Sequence, residues 1–267
     1  MIYGRRDAFP RRAAESSQTV PPLDSFPALV LAGGLGTRLN AVFSDGPKCM
    51  APVGGRHFLE YLLTWLHSSG IRELILCVGY KGHQVRRWLG DGSKWGFRVR
   101  YSVERELRGT AGAVRLAARM VKAPTCVVLN GDSFLELDLQ EMCQFHQSKK
   151  ALATIALARV RDAARYGGVR LDRDGRIAAF SEKGEALTKP VPTHRRFQLI
   201  NGGVYVLQRR LLDSIPARKP VSLEKQIFPR LMGGKLYGFV TSGFFIDIGV
   251  PADYARAQTE LTERFSL

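Results

Sequence analysis

Hydrophobic positions along most of the chain fall in short continuous runs separated by amphipathic stretches. Ala28–Leu31, Glu73–Val78 and Thr125–Leu129 are apolar almost throughout, the pattern of strands buried on both faces. Between them, Phe58–Leu66, Gln84–Leu89, Ala113–Met120 and Leu139–Gln147 repeat apolar residues three and four apart, which predicts helices. Gly70 is placed to stop the first of these. Phe97–Val103 alternates like a strand. A β-α-β-α rhythm with buried strands predicts the α/β class and a doubly wound, mostly parallel sheet.

The pattern changes after about residue 150. Ala151–Val160 reads as a long apolar strand, and Val169–Leu171 and Ile177–Phe180 flank an Asp-Arg-Asp-Gly turn, the signal of a hairpin. Leu199–Leu207 is a strand that carries Asn201-Gly202-Gly203 inside it. Leu236–Val240 and Phe244–Ile248 are expected to pair with each other around Thr241-Ser242-Gly243. Pro251–Leu261 reads as a helix with proline in its first turn, and residues 184–197 as an exposed loop. The expected organisation is a disordered extension over residues 1–26, or a start codon placed too far upstream, followed by one domain over 27–267. That domain divides into a half over 27–150 and a smaller antiparallel lobe over 151–267.

Composition narrows the function classes. An apolar fraction of 45% is that of an ordinary globular protein, and no run approaches the length of a membrane span. The formal net charge is +16, and Arg5, Arg6, Arg11 and Arg12 are nearly balanced by Asp7, Glu15 and Asp24, so the excess lies on the folded body. That suits polyanionic small substrates as well as nucleic acid or a membrane surface. Basic residues form no long block and there is no zinc-finger or RNA-binding aromatic motif, so neither a nucleic acid nor a membrane is the expected partner. The four cysteines, Cys49, Cys77, Cys126 and Cys143, include no C-x-x-C pair, which points to a reduced, cytoplasmic setting. Cys49 beside Lys48 reads as a small packed residue before it reads as a reactive one. No apolar stretch follows the N-terminal arginines, so a secretory signal is not expected.

The candidate chemistry starts at the end of the first strand. There the chain breaks into Gly33-Gly34-Leu35-Gly36-Thr37-Arg38, with Lys48 ten residues on. Glycines after a buried strand can be a tight turn, or they can present bare backbone N–H groups to a phosphate, and Arg38 and Lys48 favour the anion. In an open α/β sheet ligands bind beyond the carboxyl ends of strands. Asp132 and Asp247 stand at two such ends, where each could be a turn former, or the two together could hold Mg²⁺. Gly109-Thr110-Ala111-Gly112-Ala113 opens a helix, with Thr110 as a cap or with glycines admitting a flat base or ribose. Glu182-Lys183 after Phe180-Ser181 could be a solvated ion pair or a sugar-phosphate contact.

Taken in order, Leu31–Leu39, Pro47-Lys48, Gly109–Ala113, Asn130-Gly131-Asp132, Tyr166–Val169, Phe180–Lys183, Asn201-Gly202-Gly203 and Asp247-Ile248-Gly249 resemble the sugar nucleotidyltransferases, over about residues 27–263. Ala51–Arg56, Phe58–Leu63 and Asn130–Phe134 look most like the D-glycero-D-manno-heptose 1-phosphate guanylyltransferases within that family. The resemblance implies a Rossmann-like, glycosyltransferase-A-like sheet with a smaller antiparallel sugar-binding lobe. It implies joining of a sugar 1-phosphate to an NTP, with GTP favoured, and release of pyrophosphate, in surface polysaccharide biosynthesis. By matching position, Arg38 and Lys48 are catalytic. Leu31, Ala32, Gly33, Gly34, Gly36, Thr37, Gly109, Thr110 and Gly131 bind the nucleotide. Gly168, Glu182, Lys183 and Asn201 face the sugar phosphate, and Asp132 and Asp247 hold Mg²⁺. Three positions depart from the family's usual pattern: Gly46 and Cys49, which flank the Pro47-Lys48 pair, and Ala252, where an acid is usual. A homo-oligomer is left open. So are a mannose-1-phosphate guanylyltransferase, a uridylyl-, cytidylyl- or thymidylyltransferase, and a non-catalytic regulator that binds nucleotide sugars.

Overall fold

The structure is a computed structural model that describes residues 21–34, 39, 42–161, 166–180, 197–217 and 220–266. The described path begins before the expected domain start. Leu23–Ser25 forms a 3-10 turn, and Leu23 and Phe26 are buried in the core. The first half then runs β1 (Ala28–Ala32), the short ribbon β2 (Pro52–Val53) and β3 (Arg56–His57), α1 (Phe58–Ser68), β4 (Glu73–Val78), α2 (Gly82–Leu89), β5 (Arg98–Val103), α3 (Gly109–Ala117) and β6 (Thr125–Asn130). Next come β7 (Ser133–Leu135), α4 (Leu139–Ser148), β8 (Ala153–Val160), β9 (Val169–Leu171), β10 (Ile177–Phe180), β11 (Gln198–Gln208) and α5 (Arg209–Ser214). The chain ends with a turn of π-helix (Leu223–Ile227), α6 (Phe228–Leu231), β12 (Leu236–Thr241), β13 (Phe245–Asp247) and α7 (Pro251–Arg264).

One nine-stranded sheet runs through both halves. β5, β4, β1 and β6 lie side by side and parallel, as their unbroken apolar runs predict. β11 joins β6 antiparallel, β8 joins β11 antiparallel, and β12 joins β8 parallel. β9 takes over from β6 beside the first half of β11, and the expected β9–β10 hairpin extends from it. The sheet is covered on both faces. Ala28, Val30 and Ala32 of β1 share a buried cluster with residues of α1, α4 and α7, while Leu29 shares another with residues of α3, α5 and α6. Each such leucine or valine contributes about 1.5–3 kcal/mol by leaving water. Among the described residues no helix is long and apolar enough to cross a membrane.

One expected pairing does not form. β12 and β13 are not a hairpin: β12 lies along β8, and β13 crosses to pair antiparallel with β7, Phe245 opposite Leu135 and Asp247 opposite Ser133. The reason is local crowding at the connection. A Cβ on Gly243 would lie 1.9 Å from the Glu136 carbonyl oxygen, so the chain passes flat against the end of β7. Glu136 N then donates to Phe244 O at 2.9 Å and starts the new ladder. Turn residues signal a reversal but carry no information about the partner strand.

β11 carries a bulge where the sequence places its glycines. Asn201 pairs with Leu157 but Tyr205 with Ile155, so Asn201-Gly202-Gly203 bows out of the ladder. Gly203 has φ +76°, and a Cβ there would stand 2.4 Å from Ser133 Oγ.

Candidate active site

The four parallel strands end level with one another, since Val78 pairs with both Ala32 and Val103, and Leu31 with Asn130. Gly33-Gly34, Gly79, Glu104 and Gly131-Asp132 leave the sheet along that edge. Gly131 N donates to Leu31 O at 2.9 Å, and a Cβ on Gly131 would sit 2.7 Å from the same oxygen, so the close approach needs glycine. A cavity of about 310 Å³ opens above these ends. Leu31, Ala32, Gly33 and Gly34 line it from β1, Glu104, Leu107, Gly109 and Thr110 from the β5–α3 connection, and Asn130, Gly131, Asp132 and Lys48 from the other side. Residues from four separate sequence stretches thus meet in one place. Gly36, Thr37 and Arg38, and also Glu182 and Lys183, lie outside the described residues.

Lys48 opens a 3-10 turn, Lys48–Met50, behind Pro47. Its Nζ lies 3.1 Å from Asp132 Oδ2. The β7–β13 ribbon brings the second aspartate alongside: Asp247 faces Ser133, and Ile248 N donates to Asp132 O at 2.9 Å. Asp247 Oδ1 accepts from Gly249 N at 2.7 Å. A Cβ on Gly249 would be 2.7 Å from that carboxylate oxygen and 3.2 Å from Lys48 Nζ. One ammonium and two carboxylates therefore share a patch at the cavity's edge. The three or more acidic, histidine or cysteine side chains of a full metal cage do not gather anywhere among the described residues. Two carboxylates that leave the remaining positions to water and phosphate suit a hard divalent cation, and the ammonium beside them marks the spot as one that attracts positive charge.

The neighbours of Lys48 are packing residues. Cys49 is buried, and burial together with the Asp132 charge pushes its thiol up to about 12, so it is not a nucleophile. A Cβ on Gly46 would meet Gln84 Oε1 at 2.7 Å, where Gln84 reaches past to donate to Asp45 O. Ala252 is exposed, and the acid beside it, Asp253, points inward. Asp253 is fully buried and accepts from Tyr166 Oη at 2.9 Å and from Arg256 at 3.1 Å.

Glu104 is a cavity residue that sequence reasoning missed. Its Oε1 is buried with no hydrogen-bond partner, and burial raises the carboxyl pKa against the opposing pull of the Arg108 amide and charge. A Cβ on Gly33 would come within 2.6 Å of Glu104 Oε2, so that glycine leaves room for the carboxylate. The available signal was an acid closing an alternating strand five residues before Gly109.

The second glycine cluster, which lines the cavity with Gly109 and Thr110, also packs closely against the Val221 segment. Gly109 has φ +70°, and a Cβ there would lie 2.5 Å from Val221 O, which accepts from Ala111 N and Gly112 N at 2.9 and 3.2 Å. Thr110 turns its hydroxyl to Glu224, at 2.7 Å. On the other side of the site, Gly168 precedes β9, whose Val169 pairs with Leu199, two residues before Asn201. Gly168 and Asn201 are therefore neighbours across strands, but neither lines the 310 Å³ cavity. Asn201 Oδ1 accepts from Gly203 N at 2.9 Å, and Nδ2 donates to Tyr205 Oη at 3.0 Å.

Comparison with known proteins agrees with this fold. The nucleotidyl transferase family profile matches residues 27–264. D-glycero-alpha-D-manno-heptose 1-phosphate guanylyltransferase of Aneurinibacillus thermoaerophilus is 37% identical over 235 residues, covering 88% of this chain and 97% of that protein. Mannose-1-phosphate guanylyltransferase of Mycobacterium tuberculosis is 37% identical over 237 residues, covering 88% of this chain and 64% of that protein. Among solved structures, HddC from Yersinia pseudotuberculosis complexed with GMP-PN superposes with a TM-score of 0.75 at 32% identity, over 90% of this chain and 99% of that one. The chain belongs to the nucleotidyl transferase family.

Proposed function

We propose that this protein is a sugar-1-phosphate guanylyltransferase that joins GTP to D-glycero-D-manno-heptose 1-phosphate, yielding the GDP-sugar and pyrophosphate. The observation that carries this reading is the Lys48, Asp132 and Asp247 patch at the edge of a cavity that opens onto Gly33-Gly34. Similarity to relatives named as heptose 1-phosphate guanylyltransferases supports the substrate pair. Glu104 supports guanine. A carboxylate offers two adjacent acceptors, and guanine presents two adjacent donors, N1–H and N2–H₂, an edge no other common base has.

The sugar phosphate is already an anion, so no enzyme nucleophile is needed. Its oxygen attacks the α-phosphorus in line, the bond to the β-phosphate bridging oxygen breaks, and pyrophosphate leaves with that electron pair. The work of the protein is to align two polyanions and offset their repulsion. In this reading residues 27–150 form the nucleotide half, with Gly33–Thr37 cradling the triphosphate and Gly109, Thr110 and Gly131 bordering it. Arg38 meets the departing pyrophosphate and Lys48 the phosphates at the reacting centre. Residues 151–267 form the sugar half, with Gly168, Glu182, Lys183 and Asn201 toward the sugar phosphate. Asp132 and Asp247 would hold a divalent cation, proposed to be Mg²⁺, which supplies charge to the triphosphate when bound. Four buried free thiols fit a reducing, cytoplasmic setting.

A matrix of GTP, UTP, CTP and dTTP against heptose, mannose and glucose 1-phosphates, read by pyrophosphate release, tests the assignment. Turnover with GTP and the heptose is expected to lead. The identity to the mycobacterial relative makes mannose 1-phosphate the second reading, and a preference for it would replace the heptose. Binding of GTP without any pyrophosphate release would remove the enzymatic reading.

A further inference from the structure

Glu224 lies outside the cavity lining, in the turn of π-helix Leu223–Ile227, and gathers three hydroxyls on one carboxylate. Thr110 Oγ1 donates to its Oε2 at 2.7 Å, Ser222 Oγ to the same oxygen at 2.8 Å, and Tyr205 Oη to Oε1 at 3.0 Å. A single turn of π-helix in an otherwise regular fold is often found beside functional sites.

Each of the three hydroxyls also accepts a hydrogen bond from an N–H group. Thr110 Oγ1 accepts from Leu223 N at 2.8 Å, Ser222 Oγ accepts from Lys225 N at 3.1 Å, and Tyr205 Oη accepts from Asn201 Nδ2 at 3.0 Å. Asn201 cannot be flipped, because its Oδ1 is taken by Gly203 N. Each hydroxyl thus takes a proton from an N–H group on one side and donates its own to Glu224 on the other, so the carboxylate accepts three hydrogen bonds. An amide in its place would present an NH₂ to a hydroxyl whose proton already points inward, and one arm would have to turn away.

The arms reach opposite sides of the site. Thr110 is at the start of α3, on the cavity wall with Glu104 and Gly109. Tyr205 is fully buried and accepts from Asn201 Nδ2, so its arm ends at the β11 bulge, on the side away from Thr110. Asn130 Nδ2 and Ser133 Oγ in turn crowd Gly203 in the β11 bulge. A chain of hydrogen bonds thus runs from the base side of the cavity, through Glu224 and Tyr205, to Asn201 in the β11 bulge.

We propose that Glu224 is a positioning residue that couples the two substrate sides: one carboxylate oxygen fixes the start of α3, and the other, through Tyr205, fixes Asn201 in the β11 bulge. The names of the two substrates rest on the guanylyltransferase reading; the coupling does not. Two variants test it. Glu224→Gln keeps the shape and breaks the pattern of donors. It is expected to raise KM for GTP and for the sugar 1-phosphate together and to lower kcat/KM about 10- to 100-fold, the usual cost of a lost hydrogen bond to a charged group. Tyr205→Phe cuts one arm only. It should leave KM for GTP unchanged while raising KM for the sugar 1-phosphate and lowering kcat.

Hydrogen–deuterium exchange reads the same coupling without any substrate. Glu224→Gln should quicken exchange at residues 109–113 and at residues 201–205, both remote in sequence, whereas Tyr205→Phe should quicken only the second. If Glu224→Gln does not fold, the kinetic split and one-sided exchange of Tyr205→Phe decide alone. Wild-type kinetics for either variant in a folded, active enzyme, or an exchange gain confined to residues 220–228, would overturn the proposal. A wild-type protein that releases no pyrophosphate with any pair would sink the guanylyltransferase reading while leaving the exchange result to judge the coupling.

Discussion

Lys48 and Asp132 meet at 3.1 Å with side chains 21% and 34% exposed. An ion pair this open to water is worth about 1 kcal/mol at most, so an arriving triphosphate can draw the ammonium away. Two results follow. Lys48→Met should lower turnover by about 10²- to 10³-fold with the circular dichroism spectrum unchanged, as for loss of one transition-state contact. The same variant should bind Mn²⁺ more tightly without nucleotide, read by electron paramagnetic resonance, because the ammonium no longer competes for Asp132. Equal Mn²⁺ affinity in both proteins would show that Lys48 and the metal do not share a site. Glu104→Gln tests the base. Its new amide donor would face guanine's own donors, so kcat/KM for GTP should fall about 10- to 100-fold, while turnover measured with UTP should not fall with it.

At the scale of elements, the residues that shape the cavity are held by approaches only glycine permits. α3 begins against Val221 because Gly109 has φ +70° and no Cβ. Gly109→Ala would meet the Val221 carbonyl and adopt a strained backbone, costing about 1–3 kcal/mol in urea unfolding. Since the same segment carries Glu224, KM for GTP should rise as well; a variant of wild-type stability would show that the segment yields freely. The elements themselves were legible where the signal is local. The glycines after β1, the proline opening α7 and the Asp-Arg-Asp-Gly turn between β9 and β10 lie where the pattern predicts, because caps and turns depend on neighbouring residues alone. The β12–β13 pairing was not legible, since which strand receives β13 depends on Glu136, more than a hundred residues away in the chain.

For the molecule as a whole, the helix layer and the sheet are tied at one buried polar contact that responds to pH. His146 of α4 sits 2.9 Å from Thr154 Oγ1 of β8, its Nε2 is buried without a partner, and burial pushes its pKa down to about 4. The folded protein thus keeps the ring neutral while the unfolded chain takes up a proton near pH 6.5. Its contribution is complete above pH 6.5 and is lost as pH falls from there toward 4, by up to about 3 kcal/mol. Urea unfolding at pH 7.5 and 4.5 should show that loss. His146→Gln, which can still bond Thr154, should show a smaller one, and an equal loss in both would shift the cause to the carboxylates.

Local order was written in the residue pattern: an α/β rhythm, buried parallel strands, a glycine break after the first, aspartates at later strand ends. These follow from side-chain periodicity and backbone sterics over a few residues. The ordered motifs also carried the resemblance to sugar nucleotidyltransferases, and with it Lys48 and Asp132, whose side chains meet. Three-dimensional packing alone decided the rest. It chose β7 as the partner of β13, turned Gly109 toward Val221, and left Glu104 with an unpaired oxygen in the cavity wall. It also joined Thr110, Glu224, Tyr205 and Asn201 in one hydrogen-bonded chain. Such contacts join residues as many as 114 positions apart, as in Thr110 and Glu224. Their geometry depends on the sheet having closed first, and no local propensity encodes it.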